Sequence, residues 1–173
     1  MQILLTFPVL KRLQREMRRA RSREIGGLLM GEHVHDEVFR VVDISVQRVG
    51  GSHVGFTRNP KDHEAQLQNF FARTGQDYAR FNYLGEWHSH PSFEPYPSST
   101  DIESMQSIVD DSTVGVNFLV LLICRLGSGK QIEVTASAFR AGTLPVAVPI
   151  VAEAGPLGEN LTLFMRLRRM FRL

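Results

Sequence analysis

The sequence predicts an α/β domain of ordinary size. Short apolar segments with strand-like composition alternate with segments in which apolar residues recur every three or four positions. Glycines and prolines separate many of these segments. Of the 173 residues, 43% are hydrophobic and 22% are charged, enough for one domain with a buried core. We expect this domain at residues 1–142, followed by a C-terminal extension at residues 143–173.

Charge and cysteine content narrow the functional classes. The net charge of +2 is too small for a strong field over the whole protein. Little aromatic interleaving accompanies the basic clusters, so we expect no nucleic-acid partner. Cys124 is the one cysteine, and no signal-peptide pattern opens the chain, which favours a cytoplasmic setting. The longest apolar run, residues 114–124, is shorter than the roughly 20 residues of a membrane span, so we expect none.

Residues 1–6 read as a strand, and Pro8 suits the first turn of the helix that follows. Leu10, Leu13, Met17 and Ala20 would form the inward stripe of that helix. The rest of the segment is basic, either as a solvated face or as a docking patch for an acidic partner. Its cations are Lys11, Arg12, Arg15, Arg18, Arg19, Arg21 and Arg23.

A β-hairpin is predicted next, from residues 28–30 and 38–43 around a polar turn. This turn contains His33 and His35, but no third ligand follows at a suitable distance, so we interpret the pair as surface residues. Residues 46–49 would extend the sheet, and residues 55–60 would form a loop.

A helix is predicted over residues 60–76, with Leu67, Phe70 and Phe71 inward and His63 at the surface. Further elements are a strand at 81–90, a helix at 101–109, a buried strand at 117–125 with Cys124 as an inert core residue, a hairpin turn at 127–130 and a strand at 131–140. Residues 157–173 would form a basic amphipathic helix that docks on its own domain, binds a partner or lies on anionic lipid.

The chemistry concentrates in residues 85–101. His88 and His90 are two residues apart on a strand, so both imidazoles point to one face. Asp101 follows a proline-rich loop at the start of a helix. Two nitrogens and one carboxylate leave a fourth tetrahedral position for water, the pattern of a catalytic zinc site.

Hydrolysis of an amide at such a site also needs a proton shuttle outside the ligand set. Glu24, Glu86 and Glu94 are the candidates, and spacing alone does not choose among them. Ser98 lies three residues before Asp101 and could donate to a developing oxyanion. It could equally be the N-cap of the helix.

These residues together resemble a known motif. The sequence His-Ser-His-Pro at 88–91, then six residues, Ser98, two residues and Asp101, with Glu24 upstream, resembles the JAMM motif of the MPN+ or JAB metalloprotease family. The resemblance covers residues 2–140 and implies a cytidine-deaminase-like fold with a mixed, curved sheet flanked by helices. It implies that His88, His90 and Asp101 bind one zinc ion, that Glu24 is the general acid/base, and that Ser98 steadies the oxyanion. With all five positions filled, an inactive MPN− scaffold is disfavoured.

Members of this family cleave bonds after the C-terminal glycine of ubiquitin or ubiquitin-like proteins. The short chain, with Gly-Glu-Trp before the histidines, is similar to prokaryotic JAB proteins, including peptidases of CBASS-like antiphage operons that also encode E1-like and E2-like enzymes. The implied function is a zinc isopeptidase that removes a ubiquitin-like protein or trims an E2-like-dependent conjugate. Two alternatives stay open: a hydrolase that releases a small amine or amino acid from a ubiquitin-like sulfur carrier, and a non-catalytic scaffold that binds a partner.

Overall fold

A computed structural model describes residues 1–48, 59, 61–128 and 131–155, and the backbone of 163–165. Its elements, in chain order, are β1 (Gln2–Leu5), α1 (Phe7–Ala20), β2 (Gly26–His35), β3 (Val38–Ile44), α2 (Lys61–Arg73), β4 (Phe81–Ser89), α3 (Ser99–Asp110), β5 (Leu119–Leu126), β6 (Ile132–Phe139), β7 (Val146–Ala147), β8 (Ile150–Ala152) and β9 (Leu163–Met165). Among these helices, none combines the length and the apolar composition that crossing a bilayer requires.

The strands form one mixed sheet in the order β7-β6-β5-β4-β2-β3-β1-β8, and β9 pairs with β6. The pairs β1/β3, β1/β8, β4/β5 and β6/β9 are parallel, whereas β2/β3, β2/β4, β5/β6 and β6/β7 are antiparallel. The expectation of an α/β fold with a mixed sheet is therefore confirmed. Strands β7 and β8 join this sheet although they lie beyond residue 142.

Helices α1 and α3 cover opposite faces of the sheet. Alternate side chains of a strand point to opposite faces, and β5 is buried on both. Leu122 and Cys124 belong to the larger core cluster, which contains the inward stripe of α1. Leu121 and Ile123 belong to the second cluster, which contains Met105 of α3. Cys124 is fully buried, as expected of an inert core residue, and burial raises the pKa of its thiol well above the usual range.

Most predicted elements are confirmed, including the inward stripe of α1 and the β2/β3 hairpin. His33 and His35 are both exposed at the end of β2, and the ring of His33 stacks on Phe39. In α2, Phe70 is buried, but Leu67 and Phe71 are only partly so.

Two expectations were wrong. His63 is 1% exposed rather than a surface residue, because α2 turns its ring toward polar partners inside the fold. Residues 163–165 form a strand rather than part of a helix, because their backbone pairs with β6. The remainder of the predicted C-terminal helix lies outside the described residues, as does the predicted 55–60 loop apart from Asn59.

Gly85 is required where β4 and β5 run side by side. Its φ is 144°, and a Cβ there would lie 2.0 Å from the carbonyl oxygen of Val120. We expect Gly85→Ala to lower the free energy of unfolding by about 3 kcal/mol or more, because backbone must move. Gly75→Ala is the matched control: φ is 68°, nothing lies within 4 Å, and the expected loss is about 1 kcal/mol. Urea unfolding measures both, and equal losses would contradict the clash.

Candidate metal centre

The end of β4 carries the two histidines of the motif. His88 pairs in register with Ile123 of β5, and the backbone N–H of His90 donates to the carbonyl of Cys124 at 2.8 Å. Both imidazoles lie on the α3 side of the sheet, are 8% exposed, and have Nε2 atoms 3.1 Å apart. The strand period thus brings two nitrogen donors together, as the sequence predicts.

Asp101 reaches the same point from the first turn of α3. Ser98 is the N-cap of this helix, and the two residues form a reciprocal capping box. The N–H and the hydroxyl of Ser98 both donate to Asp101 Oδ2, each at 2.7 Å. Asp101 Oδ1 lies 3.4 Å from His88 Nε2, and Oδ2 lies 3.9 Å from His90 Nε2. The capping box therefore holds the carboxylate against the two imidazoles.

The donor atoms of His88, His90 and Asp101 lie within 4.8 Å of one another and fit a small cation. Ligands at tetrahedral zinc have bonds of about 2.0–2.2 Å, which places neighbouring donor atoms about 3.3 Å apart. The two Nε2 atoms, 3.1 Å apart, are close to this spacing. The carboxylate of Asp101 approaches His88 through Oδ1 at 3.4 Å and His90 through Oδ2 at 3.9 Å. Two imidazoles and one carboxylate also form the mixed nitrogen and oxygen set of catalytic zinc sites.

Local electrostatics prepare these groups for binding a cation. Burial would raise the pKa of Asp101, but the hydrogen bond and charge of His88 and the donors of Ser98 outweigh it and hold that pKa well below its usual range. Burial lowers the pKa of His90, which favours the neutral ring. His90 Nδ1 lies 3.1 Å from the carbonyl of Glu94, which can only accept, so Nδ1 carries the proton and Nε2 is left available to bind a cation.

Glu24 comes alongside this centre because β2 pairs with β4. Gly26 is in register with His88. The N–H of Ile25 donates to the hydroxyl of Ser89 at 3.1 Å, and the N–H of Ser89 donates to the carbonyl of Ile25 at 2.8 Å. Continuing this antiparallel register places Glu24 opposite His90. The Glu24 residue is 4% exposed. Burial raises the pKa of Glu24, the charge of His88 lowers it, and the charge of Asp101 raises it again. Glu24 therefore lies within the field of both groups.

The other two candidate carboxylates have different surroundings. Glu94 forms an ion pair of 3.0 Å with Arg125, and its side chain is 52% exposed. Glu86 accepts a hydrogen bond of 3.4 Å from the hydroxyl of Tyr83. Of the three shuttle candidates, Glu24 is the buried one beside the imidazoles, and it best suits proton transfer there.

Comparison with known proteins gives the family. The family model described as prokaryotic homologs of the JAB domain matches residues 7–141. The chain belongs to the prokaryotic JAB family. This JAB protein is similar to a CD-NTase/cGAS isopeptidase of Enterobacter hormaechei subsp. hoffmannii, with 27% identity over 146 residues, covering 83% of this chain and 78% of that protein.

Two further likenesses are more limited. Ubiquitin carboxyl-terminal hydrolase RPN11 of Saccharomyces cerevisiae is 31% identical over 84 residues, which cover 49% of this JAB protein and about a quarter, 26%, of the yeast protein. The solution structure of protein DSY2949 from Desulfitobacterium hafniense superposes with a TM-score of 0.65 at 19% identity, covering 88% and 93% of the two chains. The latter likeness concerns the fold.

A buried polar network, which sequence reasoning missed, supports the strands that carry the centre. The Ser45 hydroxyl accepts from the N–H of Leu28 at 2.8 Å and lies 2.7 Å from His63 Nδ1. The carbonyl of Ser45 accepts from Trp87 Nε1 at 2.9 Å. The network joins β2 to β4 one residue before His88. Its one sequence signal is Trp87, whose indole N–H needs an acceptor inside an apolar strand.

Arg125 was also missed, although it holds the loop between the histidines and α3. Its guanidinium donates to the carbonyl of Phe93 at 3.2 Å and pairs with Glu94 and Glu133 at 3.0 and 2.7 Å. Thr135 donates to the carbonyl of Pro95 in the same loop. These contacts position the Glu94 carbonyl that fixes the ring of His90.

We expect Arg125→Ala to weaken zinc binding by about tenfold, the lower end of what loss of an outer partner of a ligand causes. Competition with a chromophoric chelator measures this affinity. Arg140→Ala is the matched control, since Arg140 pairs at 2.8 Å with the half-exposed Glu37. Equal zinc affinity in both variants would show that the loop anchor does not act on the centre.

Proposed function

We propose that this JAB protein is a zinc-dependent isopeptidase that cleaves after the C-terminus of a ubiquitin-like protein. The convergence of His88, His90 and Asp101 beside a buried Glu24 carries the proposal. A fourth ligand position is left to a water molecule, which a closed structural site would lack. A scaffold that merely binds a partner has no need of the buried carboxylate.

His88, His90 and Asp101 would hold the ion. A bound zinc ion would supply an activated water and polarise the scissile carbonyl. Glu24 would take a proton from that water and pass it to the leaving amine, since its carboxyl group lies beside the ligands without being one of them. Its raised pKa suits a group that must both accept and release a proton.

Ser98 would have two roles in this scheme. Its hydroxyl caps α3 and donates to Asp101 Oδ2, which orients the carboxylate. In its second role, the Ser98 hydroxyl would give up its hydrogen bond to Asp101 and donate instead to the developing oxyanion. A hydroxyl suits this exchange because it rotates about a single bond.

The names of relatives support the substrate class. The Enterobacter hormaechei relative is named a CD-NTase/cGAS isopeptidase, and the yeast relative a ubiquitin carboxyl-terminal hydrolase. For this chain we propose deconjugation in a bacterial antiphage system. The bond would join a ubiquitin-like protein to a target, such as a CD-NTase, after E1-like and E2-like enzymes had made it.

A panel of adducts on one ubiquitin-like carrier tests the proposal. The carrier is joined through its C-terminus either to a protein lysine or to a small amine, and release is followed with and without a chelator. We expect cleavage of the protein adduct, loss of cleavage on chelation with little change in melting temperature, and recovery with zinc. Cleavage of the small-amine adduct alone would instead support a hydrolase that releases small amines from a ubiquitin-like carrier. Cleavage of neither adduct would support a non-catalytic scaffold.

A further inference from the structure

The outward face of α1 and the three residues after it concentrate positive charge. Residues 11–23 contain seven of the chain's 20 Lys and Arg residues but one of its 18 Asp and Glu residues. That acid, Glu16, is 2% exposed and is paired with Arg15, Arg19 and Arg48. The exposed cations, which we call the α1 basic face, are Lys11, Arg15, Arg18, Arg19, Arg21 and Arg23.

Part of the positive charge of the α1 basic face is not neutralised by any described residue. Arg18, Arg21 and Arg23 have no ion pair with any residue in the described part of the chain. Cations beyond the needs of the local structure attract an anionic partner and raise its association rate. The net charge of the chain is only +2, so the clustering of cations on this face is not a consequence of a basic composition overall.

This face ends at the proposed catalytic centre. Arg21, Ser22 and Arg23 are exposed, and Arg23 directly precedes the buried Glu24. The next residue, Ile25, exchanges hydrogen bonds with Ser89, between the two histidines. If a protein substrate places its scissile bond at His88 and His90, the part of its surface next to that bond would therefore lie close to Arg21 and Arg23.

Arg21 adds an independent observation. It is the C-cap of α1 with φ 59° and ψ −111°, a region where glycine is strongly favoured. An arginine there strains the backbone, and such residues concentrate where a side chain has a function. Stability alone would favour glycine at this position.

We propose that the α1 basic face docks an acidic segment of the protein substrate. The positive charge of the face favours an acidic partner. Because the face lies beside Glu24, we identify that partner as the protein substrate, an inference that rests on the proposed function. Nucleic acid fits less well, because the one described aromatic ring against the face, that of Phe7 beside Lys11, is only partly exposed and offers little surface for stacking. A lipid surface fits less well too, because the apolar stripe of α1 is already buried in the core.

Direct binding tests the docking without any catalysis. The variant R18Q/R21Q/R23Q removes three cations that hold no described ion pair, and R18K/R21K/R23K keeps the charge as the matched control. The probe is a fluorescent decaglutamate peptide, followed by anisotropy. We expect the glutamine variant to lose roughly tenfold in affinity, the lysine variant to bind like the wild type, and salt to weaken binding.

Two binding results would overturn the proposal. One is equal affinity of wild type and glutamine variant for decaglutamate. The other is tighter binding of a deca-thymidine oligonucleotide than of decaglutamate, which would make the face a nucleic-acid surface.

Kinetics then separate the docking from the chemistry. On a protein conjugate we expect the glutamine variant to raise KM about tenfold with kcat unchanged, and on a short C-terminal peptide amide to change neither. If the wild type cleaves neither substrate, the proposed function fails while the binding result stands. If it cleaves both and the glutamine variant keeps the wild-type KM for the conjugate, the docking fails.

Arg21→Gly separates strain from charge. We expect it to raise the melting temperature and also to raise KM for the conjugate. Gln76→Gly is the matched control, because Gln76 has a similar φ of 58° and no charge, so it should gain stability with no change in KM. An unchanged KM in Arg21→Gly would remove Arg21 from the docking surface.

Discussion

We expect Glu24→Gln to lower the rate of conjugate cleavage by about 10²–10⁴-fold, the range that general acid/base catalysis contributes. The amide keeps the size of the side chain but can neither take the proton from water nor deliver it to the amine. Because Glu24 is not among the three ligand candidates, we expect one zinc ion per chain in the variant. Cleavage kinetics and metal analysis on the same preparation measure both.

Two neighbouring carboxylates provide the controls for Glu24. Glu94→Gln removes an exposed carboxylate that pairs with Arg125, and Glu86→Gln removes one that accepts from Tyr83. Both variants should keep cleavage within a few-fold of the wild type. Cleavage by Glu24→Gln at the wild-type rate, or a larger loss in either control, would contradict the assignment of Glu24.

We expect His88→Ala to remove both zinc binding and cleavage. Only two of the three proposed ligands remain, and we expect activity to fall to the background of the uncatalysed reaction. His88 is 8% exposed and contacts Asp101. The substitution therefore also removes the imidazole that lowers the pKa of Asp101. Isothermal titration with zinc and the conjugate assay give the two readouts.

His33→Ala is the control for this experiment, because His33 belongs to the other His-x-His pair of the sequence. That pair lies exposed at the hairpin between β2 and β3. We expect His33→Ala to bind zinc with unchanged affinity and to cleave normally. Zinc retained by His88→Ala but lost by His33→Ala would move the proposed metal centre to the hairpin.

Local patterns in the sequence predicted the parts of the centre that are close in the chain. The two-residue period of a strand predicts that His88 and His90 share a face. The Ser98 to Asp101 spacing is the signature of a helix start, and the capping box is present. Each feature depends on a few neighbouring residues, so a single sequence contains the necessary information.

Features that depend on contacts between residues far apart in the chain were harder to predict from the sequence. The position of Glu24 beside His90 follows from the β2/β4 register, which residue types near Glu24 do not specify. The resemblance to a family motif supplied what local physics did not. The helix period is compatible with either side for His63, and its burial depends on Ser45 and Gln47, which come from another segment of the chain.

The capping box couples metal chemistry to the local unfolding of one helix. Asp101 accepts from the N–H of Ser98, and Ser98 accepts from the N–H of Asp101, so the bonds that start α3 also orient the proposed ligand. Any fluctuation that frays the first turn of α3 withdraws the carboxylate from the imidazoles. Bound metal should in turn slow amide hydrogen exchange in that turn, which makes the start of α3 a built-in reporter of occupancy.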